Sequence, residues 1–242
     1  MFTCAFLTAC YTGMRTGEVF ALTWEDIDLD NRIIKINKTV YAKDNEKKSR
    51  WYLGTTKTVG SCREVYICDT LYFVLSNYKK IQNEYKKVYE KKYKQYVLEQ
   101  VRNKYGKLVE YKVIESQSRN NKIQMVFTRK DGTYSGTNII RYPFRIIHHG
   151  LGIQCRFYDL RGSYATKILR NGAEIRDVAD ILGHSRIETT ENYYISSSDE
   201  TRKEANDMLE EIMKSDVIDE IMNYWIKKWF VINDCNILFL LL

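Results

Sequence analysis

Between two stretches of helical periodicity lies a run, RIIKINKTVY (32–41), in which Ile34, Ile36, Lys38 and Val40 recur at every second residue. A period of two lines one face of a strand, so helices alone cannot account for this chain. Two later runs, WYLGTT (51–56) and REVYI (63–67), flank KTVGSC and predict a hairpin with a glycine-bearing turn. The three runs together predict a small antiparallel sheet of three strands. The surroundings read as helix. Residues 2–24 give a helix, a Thr12–Gly13 turn and a second helix with Val19, Phe20 and Leu22 available for burial. YDLRGSYATKILRNG closes on Gly172, and EIRDVADILG carries Ile175, Val178, Ala179 and Leu182 on one face before closing on Gly183. Ser185 and Glu188 then form an S-x-x-E capping box that starts another helix beside His184. Strands set among helices in this way predict an α+β fold that is mainly α-helical.

From Leu71 to about Val113 the pattern reads as helical and is rich in lysine and tyrosine. Tyr78, Tyr85, Tyr89, Tyr93 and Tyr96 fall at spacings that one helix face can carry, and such a stripe reads as a packing face with lysine stems around it, or alternatively as a surface on which nucleic-acid bases stack. A short strand, MVFT (125–128), a turn at Asp131–Gly132 and a helix bounded by Pro143 and including Phe144 to Ile147 follow. The net charge is +7, yet residues 78–122 alone hold 13 basic and 5 acidic side chains. That local excess fits a polyanionic partner such as nucleic acid, or a solvated helix face. The six cysteines form no CxxC pair and the three histidines complete no zinc signature, so reduced thiols in the cytoplasm are expected. The apolar N-terminus has no basic region ahead of it and does not read as a signal peptide. Residues 198–214 are amphipathic, with Ala205, Met208, Leu209, Ile212 and Met213 on one face. The apolar stretch 216–242 is interrupted by Lys227, Lys228, Asn233 and Asp234, so no membrane span is expected.

Four segments carry candidate chemistry: TGMRTGE, TTKTVGSCR, YDLRGSYAT and LGHSRIETTENYY. In this order they resemble the catalytic domain of tyrosine recombinases, the lambda-integrase family, and especially integrases of phages and conjugative transposons. The resemblance runs from about Phe2 to Met213. It implies a catalytic domain over 1–215, without the core-binding and arm-binding domains that precede it in relatives, and a 216–242 tail of no assigned role. The implied activity is cleavage and rejoining of DNA through a 3′-phosphotyrosyl intermediate, with no metal and no cofactor. Implied partners are double-stranded DNA and further copies of the chain, as a tetramer on the DNA synapse, without membrane attachment.

By motif match Tyr193 is the nucleophile. Tyr194 is its neighbour, and only one of the two can face a phosphate because successive helix residues point about 100° apart. Arg15 and Arg161 match the two arginines that bind the nonbridging oxygens, and Glu18 matches the acid that orients Arg15. Lys57 matches the general acid at the hairpin turn. His184 matches the position that bonds the phosphate or packs on the nucleophile. Tyr158 stands where most relatives have histidine or lysine, and a phenol with a pKa of about 10 is a poor base at neutral pH. Gly162 replaces a histidine common after the second arginine. A half-clamp should bind DNA weakly and with strong salt dependence, and the alternative is a catalytically weak or inactive DNA-binding remnant.

Overall fold

The computed structural model describes residues 1–43, 51–55, 62–116, 122–184 and 186–195. Lys57, the Ser185 cap, the amphipathic stretch 198–214 and the tail 216–242 lie outside these residues.

Helix α1 (Phe2–Thr12) ends on Gly13, whose φ of 62° is left-handed and whose N–H returns to Ala9 O. A side chain at Gly13 would be strained by that φ, and its Cβ would lie 2.5 Å from Tyr164 and 2.7 Å from Leu182. The chain therefore turns sharply into α2 (Thr16–Ala21), which buries Val19 and Phe20.

Strands β1 (Ile27–Asp28), β2 (Ile33–Ile36), β3 (Lys38–Ala42), β4 (Trp51–Thr55) and β5 (Arg63–Tyr66) follow. The three runs do form strands, but they divide between two antiparallel sheets; β4 and β5 do not pair as the expected hairpin, and MVFT (125–128) forms no strand, only isolated bridges from Met125 to Thr23 and from Thr128 to Tyr134. The alternating run splits at Asn37: β2 joins the order β1-β2-β5, and β3 pairs with β4 in a second, five-stranded sheet. Helix α3 (Asp69–Tyr89) buries Leu71, Leu75, Tyr78 and Gln82 along one stripe. Gln82 bonds Trp24 Nε1, Met125 O, Val126 O and Thr128 Oγ1, so a buried amide ties this helix to the core with its donors and acceptor used.

The reading of 71–113 as one helix is overturned. The helix stops at Tyr89, Glu90 takes a φ of 45°, and β6 (Tyr96–Arg102) and β7 (Leu108–Glu115) form a hairpin. Asn103 builds its turn by accepting the N–H groups of Tyr105 and Lys107, and Gly106 supplies a φ of 77°. Strand β7 pairs with β4, and β8 (Lys122–Ile123) edges β6. The tyrosines do pack: Tyr78, Tyr93 and Tyr96 are buried, from a helix, a turn and a strand.

Helix α4 (Arg141–Gly150) includes Pro143 and buries Phe144. Helices α5 (Asp159–Arg170) and α6 (Ile175–Leu182) share a small core of Ala165, Leu169, Val178 and Leu182. Gly183 ends α6 at a φ of 67°, and α7 (Glu188–Ile195) carries Thr190 and Tyr193. No described helix is long and apolar enough to cross a membrane.

Candidate active site

An α-helix leaves its last carbonyls without intrahelical donors. At the end of α6 the His184 N–H closes back onto Ala179 O at 2.9 Å, and three successive carbonyls face outward. Each is taken by a different arginine. Arg63 Nε donates to Ile181 O at 2.6 Å, Arg161 Nη2 to Leu182 O at 2.6 Å, and Arg15 Nη2 to Gly183 O at 3.2 Å. The cations come from β5, α5 and the start of α2, so four distant parts of the sequence converge where the helix dipole is negative.

Glu18 lies inside the cluster, almost wholly buried. Its Oε1 accepts from Arg15 Nη1 at 2.8 Å and Arg63 Nη1 at 3.2 Å; its Oε2 accepts from the Arg15 backbone N–H and Arg63 Nη2, both at 2.8 Å. Burial pushes this carboxyl up, but the bonds and charge of Arg63, with the hydrogen bonds of Arg15, outweigh it and hold the group below its ordinary value. Arg161 also gives Nη1 to Gly13 O at 2.9 Å, which pins the α1–α2 turn. Its side chain is among the most buried in the molecule, 1% exposed, and its Nε has no partner among the described residues. Burial, followed by the Arg15 charge, lowers its pKa to about 10, so it stays charged at neutral pH. Arg15 differs: 35% of its side chain is exposed, against 6% for Arg63, so it is the cation open to an incoming anion.

His184 follows the cluster directly. Its Nδ1 lies 2.8 Å from Oγ1 of the buried Thr190, three residues before Tyr193 on α7. Burial, then the charges of Arg161, Arg15 and Arg63, lower its pKa to about 4, and Glu18 opposes them only in part. The imidazole is therefore neutral at neutral pH, and three guanidiniums with one carboxylate leave the cage at a net charge of +2.

Of the residues singled out in the sequence, Arg15, Glu18, Arg161 and His184 meet in this cage, and Tyr193 sits on the helix tied to it through Thr190. Tyr158 is at the N-terminal boundary of α5, 45% exposed, beside the Arg156–Asp159 ion pair. Two residues escaped the sequence reading. Arg63 sits in register with buried Val65 on β5, and a charge in phase with an apolar strand face was a usable signal. Thr190 carried no such mark within TTENYY.

A profile of the phage integrase family matches residues 2–201. A XerC-like tyrosine recombinase of Caldanaerobacter subterraneus subsp. tengcongensis is 27% identical over 195 residues, covering 78% of this chain and 44% of that protein. The ICEBs1 integrase of Bacillus subtilis is 24% identical over 213 residues, covering 88% and 50%. The chain thus spans about half the length of the curated relatives it matches. Among solved structures, the Tn1549 transposon integrase in complex with a circular intermediate DNA aligns with a TM-score of 0.58 at 16% identity, over 85% of this chain and 58% of that one. The XerA recombinase aligns at 0.51 and 21%, over 84% and 56%. Both share the fold, and the profile match over most of the sequence places the family: the chain belongs to the phage integrase family, as a tyrosine recombinase catalytic domain.

Proposed function

We propose that this chain carries out strand cleavage and rejoining for a site-specific DNA recombinase, with Tyr193 as nucleophile. The observation that carries the reading is the convergence of Arg15, Arg161 and His184 at the end of α6, hydrogen-bonded through Thr190 to the helix that bears Tyr193. In the reaction the Tyr193 oxygen, giving up its phenolic proton to solvent water, bonds to phosphorus as the bond to the 5′ oxygen breaks. Lys57 supplies the proton to that leaving oxygen. The phosphodiester bears one negative charge and the pentacoordinate transition state more, so a fixed cage of net +2 attracts the transition state more strongly than the ground state. The neutral His184 adds a hydrogen bond to the site without a further charge. The phosphotyrosyl bond conserves the energy of the broken linkage, and attack by a second 5′-hydroxyl rejoins the DNA without a nucleotide cofactor. The polyanionic partner is double-stranded DNA, and the amphipathic stretch 198–214 serves contacts between copies assembled on it.

Nicked duplexes with randomised arms, which trap the intermediate when the short product strand diffuses away, test the proposal. Wild type accumulates a covalent protein–DNA band on denaturing gels, Tyr193→Phe forms none, and Tyr194→Phe forms it as wild type does. Retardation of DNA without any covalent band would favour a binding remnant, the reading to which the phenol at Tyr158 lends weight.

A further inference from the structure

Arg63 makes more contacts within the cage than its place at the start of a short strand would require. Its side chain is 6% exposed, its Nη1 and Nη2 fork both oxygens of Glu18, and its Nε holds Ile181 O. It also fills the space over Gly183: a Cβ there would lie 3.1 Å from both Arg63 Cδ and Nη1. One planar guanidinium thus joins the carboxylate that orients Arg15 to the helix end that presents His184.

The charge balance gives this contact a purpose. Glu18 is one negative charge, buried, with two arginines as counter-ions. With Arg15 as its sole cation, Glu18 would draw that guanidinium inward and cancel it. Arg63 neutralises Glu18 from the β5 side, which leaves Arg15 at the solvent edge with a net positive charge to offer. We infer that Arg63 is a positioning residue for strand cleavage, setting Arg15 through Glu18 and His184 through the carbonyls at the end of α6. The inference rests on the function proposed above. It assigns to Arg63 no contact with DNA. The requirement is for a fork: lysine has the charge but cannot span two carboxylate oxygens and a carbonyl in one plane.

The test uses the full chain and the randomised-arm nicked duplexes, with cleavage rate, DNA dissociation constant and the His184 imidazole titration followed by NMR. Arg63→Gln is expected to slow adduct formation at saturating DNA by about 100-fold while changing the dissociation constant less than about threefold, a split that places the loss in the reacting state. Arg63→Lys is expected to recover the His184 titration midpoint, because the charge is back, yet still to cleave about 10-fold slower than wild type, because the fork is not. In Arg63→Gln that midpoint moves upward, since one neighbouring positive charge is gone; a role in folding alone would lower the melting temperature while leaving the folded variant's cleavage rate at saturating DNA unchanged. If Arg63→Gln does not fold, the lysine variant decides. Cleavage by folded Arg63→Lys or Arg63→Gln at the wild-type rate would overturn the inference and leave the proposed function standing. A wild-type chain that binds the duplexes without forming an adduct would overturn the proposed function and this inference with it.

Discussion

The two most cationic regions of the molecule are built on opposite plans. The cage at the end of α6 uses three arginines, buried or half-buried, each donating to a named carbonyl, two of them also to one carboxylate. The segment 78–122, most of it helix α3 and the β6–β7 hairpin, has a far larger excess of 13 basic over 5 acidic residues, and much of it faces solvent. There Lys112 lies over Tyr52 and Lys104 over Tyr105, and Lys87 pairs with Glu84 where both side chains are exposed to solvent. Counting charge points to the second region; asking where charges converge out of water points to the first. A buried cation must be held by specific partners or it costs several kcal/mol, so its position carries information that an exposed lysine's does not.

The sharpest way to break this contrast is to remove Arg161. Arg161→Ala strips donors from Gly13 O and Leu182 O at once and leaves a cavity where α1, α5 and α6 meet. The expected cost is about 3 kcal/mol of unfolding free energy in urea, with no covalent adduct detectable. A variant of wild-type stability would mean that the cage does not hold these helices together.

Next in size is the effect of pH. His184 is pushed down to about 4 in the folded chain by burial and the arginines, while an unfolded histidine titrates near about 6.5. Between those values the unfolded chain binds the proton more readily, so this contribution to stability is complete above the higher value and is lost as pH falls toward the lower. His184→Gln should flatten the stability profile in that window, read as urea midpoints from pH 7 to pH 4. A wild-type profile already flat there would contradict the electrostatic coupling between imidazole and cage.

The same contrast explains what could be read from the sequence. The cage members Arg15, Arg161 and His184 stand beside glycine punctuation, at Thr12–Gly13 and at Gly183, or in a helix whose apolar period is plain. Local pattern and proposed role coincide there. Arg63 hid because it opens a four-residue strand, too short to establish a period, although its register with Val65 marks the inward face. The hairpin was lost for the opposite reason. Lysine and tyrosine at spacings of three and four carry a helical template past Tyr89, and the decisive feature was chemical: Asn103 with Gly106 makes a turn through side-chain acceptance of backbone N–H groups and a positive φ. The division of 32–41 between two sheets at Asn37 was not legible either, because alternation fixes which face a residue points to and says nothing of the strand beside it.

The smallest effects belong to the hairpin, and they decide whether the two regions divide the work. Lys104 and Lys107 are exposed at its turn, so replacing either with glutamine should change folding stability by no more than about 0.5 kcal/mol. If the hairpin meets the DNA backbone, each lysine that neutralises a phosphate contributes up to about 0.9 to the slope of log affinity against log salt. The double variant Lys104→Gln, Lys107→Gln should therefore bind the nicked duplexes more weakly at low salt, with a shallower slope, and converge on wild type as salt rises. At saturating DNA it should cleave at the wild-type rate, because neither lysine donates to the cage carbonyls or to Glu18, so removing these exposed charges alters encounter and grip while leaving the cage unchanged. A double variant slowed at saturation as much as Arg63→Gln would show that the hairpin acts on the chemical step, and the distinction between a cage that reacts and a surface that holds would fail.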